Sequence, residues 1–266
     1  MKWRTGIVLV VIVAAGATAA LYHWRTHNIS LVQHGFDEAM EHGCFNCHGL
    51  GGMSGVKNPG SRWQSVPVWG GGTHMMFVKN EEEIHEWILD GAPARLRKDK
   101  DWQADQSKAL IHMPAFRSSL DDEDLEAIIA YFKAVAMYRE IPDEKADQGR
   151  DEARTLGCFN CHGPEGRGCM PNPGALKGYI PSWDGADFPD LVQNDGELKE
   201  WIMNGSCKRL LENRAARFFL QREKVQMPSY RGKISDEQVE SLIAYIKWLR
   251  AESEGKPKSS VKGTKP

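Results

Sequence analysis

The chain repeats itself at a fixed offset of 114 residues, with no insertion between the anchors. Cys44-Phe45-Asn46-Cys47-His48-Gly49 returns as Cys158-Phe159-Asn160-Cys161-His162-Gly163. Asn58-Pro59-Gly60 returns as Asn172-Pro173-Gly174, and Pro67 with Trp69 as Pro181 with Trp183. Further on, Glu86-Trp87-Ile88, Gly91 and Arg95-Leu96 return as Glu200-Trp201-Ile202, Gly205 and Arg209-Leu210. Met113-Pro114 falls on Met227-Pro228, and Ile129-Ala130-Tyr131 on Ile243-Ala244-Tyr245. Such self-similarity means two copies of one domain, and 266 residues suffice for both. The boundary is placed at Ile141-Pro142-Asp143, where proline stops a helix. The domains are therefore read as residues 31–142 and 143–252.

Each copy reads as helical, so the expected class is all-α. Asn80 with Glu83, and Asn194 with Glu197, have the spacing of helix N-terminal capping pairs. Ile84, Trp87 and Ile88 supply one buried face, and Gly91 can close that helix in the left-handed conformation. A last helix is predicted from about Asp121 to Met137, with Leu125, Ile128, Ile129 and Phe132 at helical spacing. Its counterpart uses Val239, Leu242, Ile243 and Ile246 after a Ser235…Gln238 capping box. No run of alternating residues predicts a strand.

Both ends depart from this pattern. Lys2 and Arg4 precede an uncharged apolar stretch, Gly6 to Tyr22, which predicts an N-terminal hydrophobic helix. The basic head stays in the cytoplasm, so the remaining chain is expected outside it. Residues 1–30 are read either as a retained membrane anchor or as a cleaved signal peptide. The stretch is at the short limit of a spanning helix, and Ala17-Thr18-Ala19 is a small-residue cleavage candidate. Trp24 and Arg25 favour retention as interfacial anchors. At the other end, residues 253–266 carry four Lys among Gly, Pro and Ser and are read as a disordered basic tail.

The chemistry lies in the two Cys-x-x-Cys-His motifs, the attachment signature of c-type haem. Thiols three positions apart on a helical turn can each bond one porphyrin vinyl group, and the adjacent His can ligate iron. Zinc would need a second ligand pair in each copy, and the first copy has no further cysteine. A redox dithiol would need a βαβ setting. Two covalently attached haem c groups are therefore expected, on Cys44, Cys47 and His48 and on Cys158, Cys161 and His162.

The repeat also sorts the candidates for the sixth iron ligand. Met53, Met75 and Met76 fall on Arg167, Pro189 and Asp190, and His74, His85 and His112 on Phe188, Lys199 and Gln226. Met113 and Met227 recur in polar loops, each 65 residues after its proximal His and each followed by Pro. They are predicted to ligate iron, with His112 the rival in the first copy. Methionine raises the potential relative to a second histidine. Arg95 and Arg209, which recur in register, are candidates to neutralise haem propionates. The basic residues around them can steer an acidic redox partner.

This order of helix, CxxCH, loop, helix, Met-Pro loop and last helix resembles the class I cytochrome c family, twice over residues 31 to 252. The resemblance implies that Gly35 and Gly149 lie where first and last helices cross, against Tyr131 and Tyr245. It also implies that Pro59 and Pro173 offer carbonyls to the proximal histidines, and that Trp69 and Trp183 approach a propionate. The stretch from proximal His to Met is longer than in compact members. Two cysteines remain, Cys169 and Cys207, where the first copy has Gly55 and Pro93. In an oxidising compartment the pair most simply forms a disulfide, and the alternative is Cys207 as an iron ligand in place of Met227.

The function expected is electron transfer between redox partners at the outer face of the cytoplasmic membrane, within or beside a respiratory complex. It is not expected to be an enzyme. The alternative is a di-haem peroxidase or sulfur-compound oxidase with one labile haem. A formal net charge of −2 gives no basic face for nucleic acid.

Overall fold

A computed structural model describes residues 13–20 and 29–254. The described chain divides into two compact units, built around Ser30–Pro142 with Gly163–Gly168 and around Asp143–His162 with residues 169–254. The helical residues 13–20 are the described part of the apolar N-terminal stretch. Among the described residues no helix is long and apolar enough to cross a membrane. The rest of that expected anchor, and the basic tail beyond residue 254, lie outside the described residues. The described residues form helices and turns, with isolated bridges only, at Lys57 with Ser65 and at Pro171 with Tyr179.

In the first unit, α1 (Leu31–Glu41) begins at Ser30, whose Oγ accepts from the Gln33 N–H. A left-handed Gly43 turns the chain into α2 (Cys44–His48), a single turn that carries the whole CxxCH motif. After a long loop come α3 (Glu81–Asp90), α4 (Ala94–Arg97), α5 (Lys100–Gln106) and α6 (Asp122–Val135). In α3, Asn80 Oδ1 accepts from the Glu83 N–H, while Glu83 reaches back to the N–H of Lys79. Gly91 closes α3 at φ 77°, a conformation that favours glycine.

The second unit repeats the order with α7 (Glu144–Thr155), α8 (Phe159–His162), α9 (Phe188–Leu191), α10 (Asp195–Asn204), α11 (Lys208–Glu212), α12 (Arg214–Leu220) and α13 (Asp236–Glu254). Ser235 and Gln238 exchange two hydrogen bonds, a complete capping box. The basic stretches after α3 and α10 are helical as well, because Asp99 and Asn213 cap α5 and α12 through their side chains.

Each unit is held at a crossing of its first and last helices. A Cβ built on Gly35 would lie 1.8 Å from the Ala127 carbonyl oxygen and 2.9 Å from Tyr131 Cβ. A Cβ on Gly149 would lie 1.9 Å from the Ser241 oxygen and 2.9 Å from Tyr245 Cβ. Only hydrogen fits there, so glycine lets the two backbones touch. Around the first crossing Phe36, Phe45, Trp69 and Tyr131 form an aromatic cluster with centroids 5.3–6.0 Å apart. Burying such rings supplies much of the cohesion of a small helical core.

Candidate functional site

Helix α2 presents Cys44, Cys47 and His48 to a cavity of about 830 Å³. This falls in the range of roughly 300–1,000 Å³ common to cofactor pockets. Trp69 and Met113 line the same cavity, as do Ile84, Ile88 and Phe132 from the core. The structure thus brings the predicted proximal ligand, the two thiols and the predicted sixth ligand to one apolar space.

His48 is oriented from behind. Its Nδ1 lies 2.8 Å from the carbonyl oxygen of Pro67. An N–H donated from Nδ1 to this oxygen leaves Nε2 with its lone pair, the tautomer a metal ligand needs. Burial pushes the imidazole below its ordinary pKa, against the raising effect of the Pro67 contact, so it is neutral at physiological pH. Trp69, itself buried, lies against the ring at 5.2 Å between centroids. His162 has the same setting: it lies 4.9 Å from Trp183, and burial lowers its pKa to about 4. Its buried Nδ1 faces the Pro181 carbonyl without reaching full hydrogen-bond geometry.

The orienting carbonyls therefore belong to Pro67 and Pro181, not to Pro59 and Pro173. The expected carbonyls are already engaged: Pro59 accepts from the Leu110 N–H and Pro173 from the Lys224 N–H, both at 3.0 Å. Their recurrence has another cause. Buried Asn58 donates Nδ2 to the Ile111 oxygen at 2.9 Å and accepts the Ile111 N–H at 2.8 Å. Asn172 makes the same pair with Val225, at 2.9 Å each way. A Cβ on Gly60 or Gly174 would meet the backbone oxygen of Lys108 or Arg222 at 1.8 or 2.1 Å. The Asn-Pro-Gly element is a clamp on the segment that leads to each methionine.

The clamp has a second jaw. A Cβ on Gly91 would lie 2.6 Å from the Met113 oxygen, and one on Gly205 2.2 Å from the Met227 oxygen. Both methionines are half-buried, whereas His112 is exposed. His112 and His74 do line the first cavity, but neither has the clamped position of Met113.

Arg95 and Arg209 find protein partners. Arg95 donates through Nε and Nη2 to both oxygens of Glu83 at 2.8 and 2.9 Å. Arg209 does the same to Glu197 at 2.8 and 3.0 Å. The arginine hydrogen bond holds each carboxylate below its ordinary pKa. Arg95 lines the cavity, yet its charge is already matched. The same glutamates cap α3 and α10, a shared use that the recurrence of all four residues signals. Trp69 and Trp183 serve as walls behind the histidines.

The expected Cys169–Cys207 bridge is not formed. Cys207 is a fully buried thiol at the start of α11, with Sγ 3.9 Å from the Leu191 oxygen. Burial raises its pKa and keeps it a neutral thiol, a poor ligand in that state. Cys169 is buried close to Tyr179.

The chemistry of this donor set fits covalent haem. Two thiols and a neutral imidazole stand on one helical turn, and a clamped thioether faces the same apolar cavity. These features, in two tandem helical domains, define a c-type cytochrome. The family model described as cytochrome c oxidase, cbb3-type, subunit III matches residues 33–132 and again residues 144–246, and the chain belongs to that family. No curated protein matches it. Among solved structures it is similar to the Kuenenia stuttgartiensis reducing HAO-like protein complex. That match has 18% identity and a TM-score of 0.26, covering 82% of this chain and 96% of the other.

Proposed function

We propose that the chain carries two covalent haem c groups and passes electrons between redox partners, delivering them within or beside an oxygen-reducing membrane complex. The observation that carries this reading is the duplicated ligand set, an oriented histidine and a clamped methionine in each copy. His48 and Met113 would hold one iron, and His162 and Met227 the other. Cys44, Cys47, Cys158 and Cys161 would anchor the two porphyrins.

When bound, each haem supplies a one-electron ferrous/ferric couple. The chain's own work is to hold that couple in fixed geometry. Pro67 orients His48, and the Asn58 clamp limits the movement of Met113. Two filled coordination positions leave none for a substrate, and little rearrangement accompanies each electron. The Lys and Arg side chains on α4, α5, α11 and α12 offer acidic partners an electrostatic approach. The charge pattern at the N-terminus supports a location at the outer face of the cytoplasmic membrane, anchored if residues 1–30 are retained and soluble if they are removed.

The test is carbon monoxide binding to the dithionite-reduced haem protein, followed by visible absorption. An unchanged spectrum is expected from two closed irons. A shift in about half of the haem absorption would replace this reading with an enzyme that has one labile site, a peroxidase or a sulfur-compound oxidase.

A further inference from the structure

The first copy holds a group of ionisable side chains that electron transfer does not use. His34 and Glu38 lie one turn apart on α1, and Asp124 opens α6. His34 Nε2 is 3.2 Å from Glu38 Oε1 and 3.6 Å from Asp124 Oδ1. One ligand atom from each of the three lies within 4.8 Å of the other two. A turn further along, His42 places Nε2 3.7 Å from the second Glu38 oxygen. The His34, Glu38 and Asp124 side chains are 33%, 17% and 27% exposed, so the cluster is partly buried yet within reach of solvent. Burial raises both carboxyls above their ordinary pKa, helped by repulsion from Asp124 at Glu38 and from Asp121 at Asp124. Such a cluster favours a cation.

The second copy is an internal control. At the same register it has Gln148, Glu152, Leu156 and Gln238. There Gln238 Nε2 donates to Glu152 Oε2 at 2.7 Å, and a neutral amide satisfies a single carboxylate. The same helix crossing thus folds without the two imidazoles and without the second carboxylate. Their concentration in the first copy is not a requirement of the fold.

The geometry points to a divalent metal site of the zinc class, formed by His34 Nε2, Glu38 Oε1 and Asp124 Oδ1, that ties α1 to α6. Zinc bonds of about 2.0–2.2 Å in tetrahedral directions set donor atoms about 3.3 Å apart. Two of the three separations are already close to this value, and side-chain rotation closes the third. Imidazole nitrogen and carboxylate oxygen are both zinc donors, and three protein ligands with a water complete a four-coordinate site, whereas calcium and magnesium favour oxygen alone. His42 supports the site from outside, through the oxygen of Glu38 that the metal does not use.

The test is calorimetric titration of the haem-loaded full chain with Zn²⁺, beside thermal unfolding with and without the ion. One tight equivalent and a raised unfolding midpoint are expected. Both should vanish when His34→Gln is combined with Asp124→Gln, the residues the second copy carries. Both should persist in His85→Gln, a control at a histidine outside the cluster. Asp124→Asn, nearly the same shape, gives the same reading if the double variant does not fold, with affinity reduced about tenfold or more. Absence of binding in the unaltered protein, equal loss in His85→Gln, or tight binding retained without His34 and Asp124 overturns the site.

Discussion

The two copies share one scaffold and differ in what surrounds it. Both close a first and last helix over a glycine, both orient a histidine beside a tryptophan, and both clamp a methionine loop with Asn-Pro-Gly. Around that frame the first copy has Phe116, His34, His42 and Asp124, where the second has Tyr230, Gln148, Leu156 and Gln238. The first has Gly55 and Pro93 where the second buries Cys169 and Cys207. The CxxCH motif, the crossing glycines, the methionines and the Asn-Pro-Gly clamp have therefore been held in register, while other residues around the first cavity, Phe116 and His42 among them, have diverged. The difference shows which contacts the iron site needs and which ones each copy is free to vary.

The largest test of that shared frame is the glycine crossing. Gly35→Ala and Gly149→Ala each drive a methyl group into a backbone oxygen that cannot yield without separating the helices. Each is expected to destabilise its domain by about 3 kcal/mol or more. Chemical unfolding of the two variants should give losses of similar size. A large loss in one copy and a negligible one in the other would break the equivalence of the two crossings.

The methionine clamp should come next. Asn58→Ala and Asn172→Ala each remove a reciprocal pair of buried hydrogen bonds, at a cost of about 2 kcal/mol. Each should also loosen its methionine, seen as partial loss of the thioether-to-iron absorption band of the ferric protein. If the band persists in full while stability falls, the element supports the fold without governing the ligand.

A smaller effect separates the copies. The Tyr230 hydroxyl donates to the Leu156 oxygen at 3.2 Å and lies beside Cys158, and burial raises its pKa to about 12. Tyr230→Phe, which restores the first copy's residue, should cost about 1 kcal/mol. Equilibrium unfolding should resolve it, and no change would mean the hydroxyl is satisfied equally well by water.

The smallest effect concerns acid. Arg95 lowers the Glu83 pKa in the folded state. The stabilisation is therefore full above the unfolded value of 4.5 and is lost as pH falls through the lower folded value. Stability measured against pH should show a shallower decline in Glu83→Gln than in the unaltered protein. Identical slopes would show that the exposed guanidinium is screened by solvent.

How much of this was legible beforehand depended on range. The offset of 114 residues exposed the duplicated domain, the CxxCH motif its cofactor chemistry, and the caps at Asn80, Ser235 and Asn194 the starts of helices. The same offset singled out Met113 and Met227 from ten methionines. These readings rest on neighbours in sequence or on comparison of one copy with the other, so the chain alone determined them. Which carbonyl meets His48, which carboxylate receives Arg95, and where the Cys207 thiol points were decided only in three dimensions. Pro59 and Pro67 recur equally well, and nothing local distinguishes them. Their roles are set by how the loop after α2 folds back, which brings Pro67 to the histidine and turns Pro59 toward Leu110. The buried thiol and the matched arginine follow the same rule, because their partners come from chain segments whose approach only packing defines.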